Sequence, residues 1–250
     1  MAGGVGSRFW PYSRNSKPKQ FLDILNTGKS LIQMTFDRFK SKVPVENIYI
    51  VTHQDYQHLT KEQLPELSDH QILLEPLRRN TAPCIAYASY KIRKQNAEAI
   101  ITVAPSDHLI TNDANFYDSW HAAVAAASDK EKLITIGLKP NKPETGFGYI
   151  QFFEGDNNVR RVKTFTEKPE RKLAETFLQS GDFVWNSGIF IWSASAIVGE
   201  IEKSLPELGE LFEEAEPDLG TPEEKATIAS VYSQCTNISI DYGVMEKASS

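Results

Sequence analysis

The sequence predicts an α/β protein built on a mixed, mostly parallel sheet flanked by helices, and three observations carry that prediction. Between residues 30 and 138, β-branched apolar runs alternate with stretches whose apolar residues recur at helical spacing, the pattern of a parallel sheet covered on both faces. Beyond residue 139, short strand-like runs separated by turn residues replace that alternation and indicate an antiparallel extension. The chain also opens on a glycine turn, Met1-Ala2-Gly3-Gly4-Val5-Gly6-Ser7-Arg8, and in such sheets ligands sit beyond the carboxyl ends of the strands.

The elements follow in order. Ser30 can cap a helix in which Leu31, Met34, Phe36 and Phe39 keep helical spacing. A buried strand is expected over 47–52, a polar helix over 56–64 and a short strand over 71–74, ending at Glu75-Pro76. Thr81 and Pro83 open a helix through 95, with proline in the first turn where its missing amide costs nothing. The clearest strand, over 99–104, stops at Pro105-Ser106-Asp107-His108, and a helix over 115–128 and a strand over 133–138 follow. Strands over 149–153 and 159–166, with a turn at Asp156-Asn157-Asn158 between them, lead to a helix over 171–179 and a strand over 189–192. Residues 200–224 hold ten acids and one base, Lys203, and read as a solvated helical surface. Thr52, Glu75 and Asp107 would lie along one rim of the sheet, which the glycine turn would join if a strand preceded it.

Composition narrows the function. With 250 residues, 40% of them hydrophobic and 24% charged, the chain can bury a full-sized core as one large domain or two small ones. A formal charge of −6 argues against a nucleic-acid partner. No apolar run approaches the roughly 20 residues of a membrane span, and the opening lacks the apolar core of a signal peptide. Cys84 and Cys235 are too few for a disulfide scaffold and fit a reducing cytoplasm. Against the acidic total, Arg8, Arg14, Lys17 and Lys19 all precede the first acid, Asp23. Amides converging in a glycine turn bind anions, so basic charge beside it points to a polyphosphate. Pro11 and Pro18 argue against the immediate helix that a dinucleotide fingerprint wants, and the lysine–serine ending of a Walker A loop is missing.

Taken in order, the motifs are Gly3-Gly4-Val5-Gly6-Ser7-Arg8-Phe9-Trp10-Pro11, Lys17-Pro18-Lys19-Gln20, Glu75-Pro76 with Asn80-Thr81-Ala82-Pro83, Pro105-Ser106-Asp107-His108, Thr145-Gly146-Phe147-Gly148-Tyr149, Phe165-Thr166-Glu167-Lys168-Pro169, Asn186-Ser187-Gly188 and Ser239-Ile240-Asp241-Tyr242. Any one is weak, but the ordered set resembles the sugar-1-phosphate nucleotidyltransferases over nearly the whole chain, and within them the mannose-1-phosphate guanylyltransferases. The resemblance implies a Rossmann-like fold of the nucleotide-diphospho-sugar transferase type, its antiparallel extension covering the sugar site. It implies GTP and mannose 1-phosphate as substrates, GDP-mannose and pyrophosphate as products, and Mg²⁺ as cofactor. Such chemistry needs positioning and charge neutralisation more than covalent help.

By the same resemblance, Gly3, Gly4, Gly6 and Ser7 cradle the triphosphate, Arg8 and Lys19 neutralise its charge, and Asp107 holds the metal, with Arg8, Lys19 and Asp107 as the catalytic set. Glu75, Asn80, Thr81 and Ala82 resemble the nucleoside-recognising segment. Gly148, Glu167, Lys168, Asn186 and Gly188 resemble the sugar-phosphate half. Each has a plainer reading: Asp107, Asn80 or Thr81 as helix caps, and Glu167-Lys168 as an exposed ion pair beside Pro169. His108 reads as a packing or orienting residue, Asp241 as a structural turn, and Tyr149, Phe152 and Trp192 as core or wall.

Two departures from the family pattern stand out: no strand precedes Gly3, and the second metal-binding aspartate and the β-helical domain that normally follow are missing. Residues 1–250 are therefore expected to be a catalytic domain truncated at both ends, binding GTP weakly. A nucleotidyltransferase of different base or sugar, and a nucleotide-binding regulatory subunit without activity, remain alternatives. The glycines alone would also suit an NAD-dependent oxidoreductase. Homo-oligomerisation is left open.

Overall fold

A computed structural model describes residues 1–6, 9–129, 132–155 and 158–248. Helix α1 (Leu31–Lys40) starts at Ser30, whose hydroxyl accepts from the Gln33 amide while the Gln33 side chain accepts from the Ser30 amide. This reciprocal cap satisfies two amides that the first turn would leave unpaired. Strands β1 (Ile50–His53) and β2 (Ile72–Glu75) pair in parallel with His53 opposite Glu75, and α2 (Gln57–Gln63) lies between them in the chain. Helix α3 (Thr81–Gln95) leads to β3 (Ile100–Val103), then α4 (Asp113–Ala127) and β4 (Ile134–Leu138).

The antiparallel part is organised around one long strand, β7 (Phe183–Ser193). It pairs with β3, β4 and β5 (Tyr149–Phe152), and β5 carries β6 (Val162–Thr166) on its other edge. Helix α5 (Arg171–Ser180) connects β6 to β7. The architecture is thus the mixed α/β one that the sequence predicts, though its parallel ladder among the described residues is the single pair β1–β2. Met1 and Ala2 bridge the two sheets. The Ala2 amide donates to Val51 O at 2.7 Å, the Met1 amino group to Ala104 O at 2.9 Å, and the Ser106 amide to Met1 O at 3.0 Å. Behind this bridge an apolar cavity of about 510 Å³, lined by residues such as Val51, Ile85, Ile101 and Trp120, separates β1 from β3. The glycine turn therefore follows two residues that are hydrogen-bonded beside β1 and just beyond β3.

Strand β7 begins six residues before the expected 189–192, so Trp185, Asn186, Ser187 and Gly188 lie within it. Flanking strands supply ladder partners at Trp185 and Asn186, overriding the turn chemistry of these residues, and Gly188 takes φ +70°. The acidic stretch also differs from its expectation. It spans α6 (Ala194–Ser204), α7 (Pro206–Ala215) and the start of α8 (Glu224–Gln234), and one face buries Ile201, Leu208, Phe212 and Ala215 against α3 in the main core. Some of its acids are internal partners: Glu224 lies 2.7 Å from Lys91, and Glu216 lies 2.5 Å from Arg93. Tyr149 and Trp192 are fully buried, as expected of core, while Phe152 is half-buried. Within the expected turn at 156–158, Asp156 and Asn157 lie outside the described residues. Among those described, no helix is long and apolar enough to cross a membrane.

Candidate active site

The glycine turn is held from behind. Gln20, almost wholly buried, donates from Nε2 to Ala2 O at 2.6 Å and to Gly4 O at 2.9 Å, and the Thr52 hydroxyl donates to Ala2 O at 3.0 Å. The Ser13 hydroxyl and the Phe9 amide both donate to Gly6 O. Gly4, by contrast, has open space where a side chain would stand. Lys19 follows Pro18 in a short helical turn, and its ammonium reaches the Asp107 carboxylate at 3.1 Å while lying 5.0 Å from the Phe9 ring centre. Asp107 does not cap α4, because Asn112 accepts from the Asn115 amide there. Its carboxylate is partly exposed, so a ligand oxygen or a cation can reach it. Beside it, burial lowers the His108 pKa. Ser7 and Arg8 lie outside the described residues.

Glu75 ends β2 against the turn. One oxygen accepts from the Tyr232 hydroxyl at 3.1 Å, and the other lies where a Cβ on Gly3 would stand, 2.7 Å from it. Burial raises the Glu75 pKa to about 7, countered in part by the Tyr232 hydrogen bond. Asn80 is the N-cap of α3, at φ +68°, with its side chain accepting from the Thr81 amide. Thr81 and buried Ala82 instead bond to the far end of the chain: the Ile240 amide donates to Thr81 Oγ1 at 2.9 Å, and the Ala82 amide to Ile238 O at 3.1 Å.

The second cluster has a similar construction. A Cβ on Gly148 would stand 2.5 Å from Glu167 Oε2, so here too glycine makes room for a buried carboxylate. Glu167 pairs with Lys168 at 2.6 Å, but the glutamate side chain is 8% exposed and the lysine 48%, which is not the exposed pair of the plainer reading. The Asn186 carbonyl oxygen accepts from the Gly188 amide at 3.0 Å and from the Thr135 hydroxyl at 3.1 Å, and its amide donates to Asp241 at 2.8 Å. Asp241 opens a π-helical turn, Asp241–Met245, and burial with the nearby Glu167 charge raises its pKa to about 6.

These contacts form one connected path. It runs from Gly6 to Lys19, to Asp107, through Pro105 to Gly188 and Asn186, then through Asp241 and Ile240 to Thr81. Gly6, Lys19, Asp107, Gly188, Asn186 and Thr81, drawn from both halves, are thus neighbours along one path. Among the described residues, no three His, Cys, Asp or Glu side chains converge on one ion site. Gln20, Thr52, Tyr232, Asp241 and Glu246 contribute contacts that sequence reasoning left without a role at the site. Gln20 and Asp241 each stood in one of the motifs and Thr52 on the predicted rim, while Tyr232 and Glu246 had no local signal.

Comparison with known proteins gives a consistent picture. The nucleotidyl transferase family model matches residues 1–220. Mannose-1-phosphate guanylyltransferase of Klebsiella pneumoniae is 36% identical over 254 residues, 99% of this chain and 53% of that protein. Xanthan biosynthesis protein XanB of Xanthomonas campestris pv. campestris is 37% identical over 250 residues, again 99% of this chain and 53% of that protein. The chain thus spans about half the length of the curated relatives it matches. The crystal structure of mannose-1-phosphate geranyltransferase from Thermus thermophilus is similar at TM-score 0.89 and 33% identity, over 99% of this chain and 70% of that one.

Proposed function

Because the chain belongs to the nucleotidyl transferase family, we propose that it transfers GMP from GTP to mannose 1-phosphate, giving GDP-mannose and pyrophosphate. A phosphate oxygen of the sugar attacks the α-phosphorus, and the bond to the bridging oxygen of the β-phosphate breaks as pyrophosphate leaves. The observation that carries this reading is the Lys19–Asp107 pair, 3.1 Å apart beside the glycine turn. Two anions must meet, and a lysine facing a carboxylate gives a cationic and an anionic partner in one place. Lys19, on its flexible stem, gives up the ion pair and moves to the phosphate oxygens as they enter. The turn amides and Arg8 complete the phosphate cradle. Glu75 and the Asn80-Thr81-Ala82 segment take the nucleoside, Glu167 and Asn186 the sugar hydroxyls, and Lys168 the sugar's phosphate.

Mg²⁺ fits the donor set. One reachable hard carboxylate, Asp107, with no preformed cage around it, suits an ion that binds through one or two carboxylates plus substrate phosphates. When bound, the ion would neutralise charge on the triphosphate and polarise its α-phosphorus. We place the reaction in the cytoplasm, where Cys84 and Cys235 stay as the free thiols seen here.

The test is pyrophosphate release with mannose 1-phosphate and each of four nucleoside triphosphates, with and without Mg²⁺. GTP with Mg²⁺ should give the highest rate. Preference for another base or sugar phosphate would move the chain to a sister activity. Nucleotide binding without turnover under every condition would favour a regulatory subunit.

A further inference from the structure

The segment 238–246 touches both halves of the proposed site through four hydrogen bonds. At its start, Ile238 O accepts from the Ala82 amide at 3.1 Å, and the Ile240 amide donates to Thr81 Oγ1 at 2.9 Å, tying it to the first turn of α3. At its centre, Asp241 accepts from the Asn186 amide at 2.8 Å. At its end, Glu246 Oε1 accepts from the backbone amide of Glu167 at 3.0 Å. Ile240 and Val244 are fully buried, and a Cβ on Gly243 would lie 2.8 Å from Leu205 Cδ1, so the turn is wedged against the α6–α7 connection. It is also π-helical, a rare form that is frequent at functional sites.

We infer that Asp241 and Glu246 are positioning residues for the sugar-phosphate half of the site, holding Asn186 and Glu167 in place from a turn anchored on the nucleotide half. This rests on the reaction proposed above. The Asn186 amide shows why a clamp is needed. Its carbonyl oxygen receives the Gly188 amide and the Thr135 hydroxyl, and that arrangement requires its NH₂ to point toward Asp241. Without an acceptor there, the NH₂ loses its partner, and the Gly188 amide and Thr135 hydroxyl alone are left to hold the working orientation. Glu246 acts on the other wall, fixing the backbone from which the Glu167 carboxylate reaches the Gly148 gap. Glu246 itself is exposed, so its removal disturbs no core packing.

The experiment compares Asp241→Ala, Asp241→Asn, Glu246→Ala and Glu246→Gln. Both alanine variants should raise KM for mannose 1-phosphate about tenfold, as loss of outer supporting residues does, with KM for GTP within about twofold of the parent. The Asn and Gln variants keep an acceptor oxygen and should recover most of the loss. Backbone amide exchange at Glu167 should speed up about tenfold in Glu246→Ala and stay slow in Glu246→Gln. A merely structural turn would instead shift both KM values together, or shift neither, and either result overturns the inference. So does unchanged exchange at Glu167 in Glu246→Ala. If no sugar phosphate turns over with any triphosphate, the proposed reaction fails, while the exchange measurement still decides the clamp.

Discussion

Gly6 carries two constraints at once: its φ is +67°, and a Cβ there would stand 2.7 Å from Lys19 Cβ. The turn and the base of the lysine are thus packed as one unit, from which the flexible stem extends. Replacing Lys19 with Ala should lower the rate of pyrophosphate release by about 10²-fold, the effect of removing one charge-stabilising donor, while melting temperature barely moves. Glu75 predicts a pH effect on stability. Its pKa rises from the ordinary 4.5 to about 7 in the folded chain, so between those values the folded state holds a proton that the unfolded state has lost. Stability from this group is full below pH 4.5, falls by about 3 kcal/mol as pH rises to 7, and is level above. Glu75→Gln should flatten that part of a melting-temperature profile, and an unchanged slope would exclude the assignment. Lys19 and Asp107 were legible in the sequence because each stands next to its own punctuation, glycine turn or strand end. Asp241 and Glu246 were not, because their partners Asn186 and Glu167 lie 55 and 79 residues away and only the folded topology brings them near.

Elements whose ends carry caps were read well. Helix α3 runs over Thr81–Gln95 as expected, since Asn80, Thr81 and Pro83 all mark its start. Helix α1 depends on Ser30 in the same way, and Ser30 also bonds the Gln63 side chain at 2.6 Å. Ser30→Ala should cost about 1 kcal/mol in a denaturant melt and leave the KM values unchanged. Strand β7 was legible only at its apolar end. Asn186, Ser187 and Gly188 were left outside the expected strand, whereas Asn186 pairs with Gly137 on β4 and the strand runs through them. Gly188 at φ +70° still leaves a kink, and Gly188→Ala should destabilise by about 1–2 kcal/mol through left-handed strain alone.

At the scale of the molecule, the α/β alternation gave the class, and Met1 and Ala2 bond to both sheets beside the cavity between β1 and β3. The acidic stretch 200–224 misled because composition reports charge and not face. Its helices lay an apolar stripe on α3 and turn several acids onto that helix's bases. Lys91 and Glu224, 5% and 14% exposed at their side chains, fasten α8 to α3. Glu224→Ala would strand a buried ammonium, costing about 3–5 kcal/mol and lowering the melting temperature by on the order of 10 °C. The paired replacement of Lys91 and Glu224 by apolar residues should recover much of that loss.

In the proposed reaction Lys19 and Asp107, side by side, serve one triphosphate, Lys19 through its charge and Asp107 through the metal. Calorimetric titration of GTP into the native chain and into Asp107→Asn, each with Mg²⁺ and with a chelator, tests it most directly. The chelator should weaken binding to the native chain about tenfold or more, and the variant should bind equally in both conditions. Equal affinity of the native chain with and without Mg²⁺, or a variant that keeps the full Mg²⁺ dependence, would contradict it.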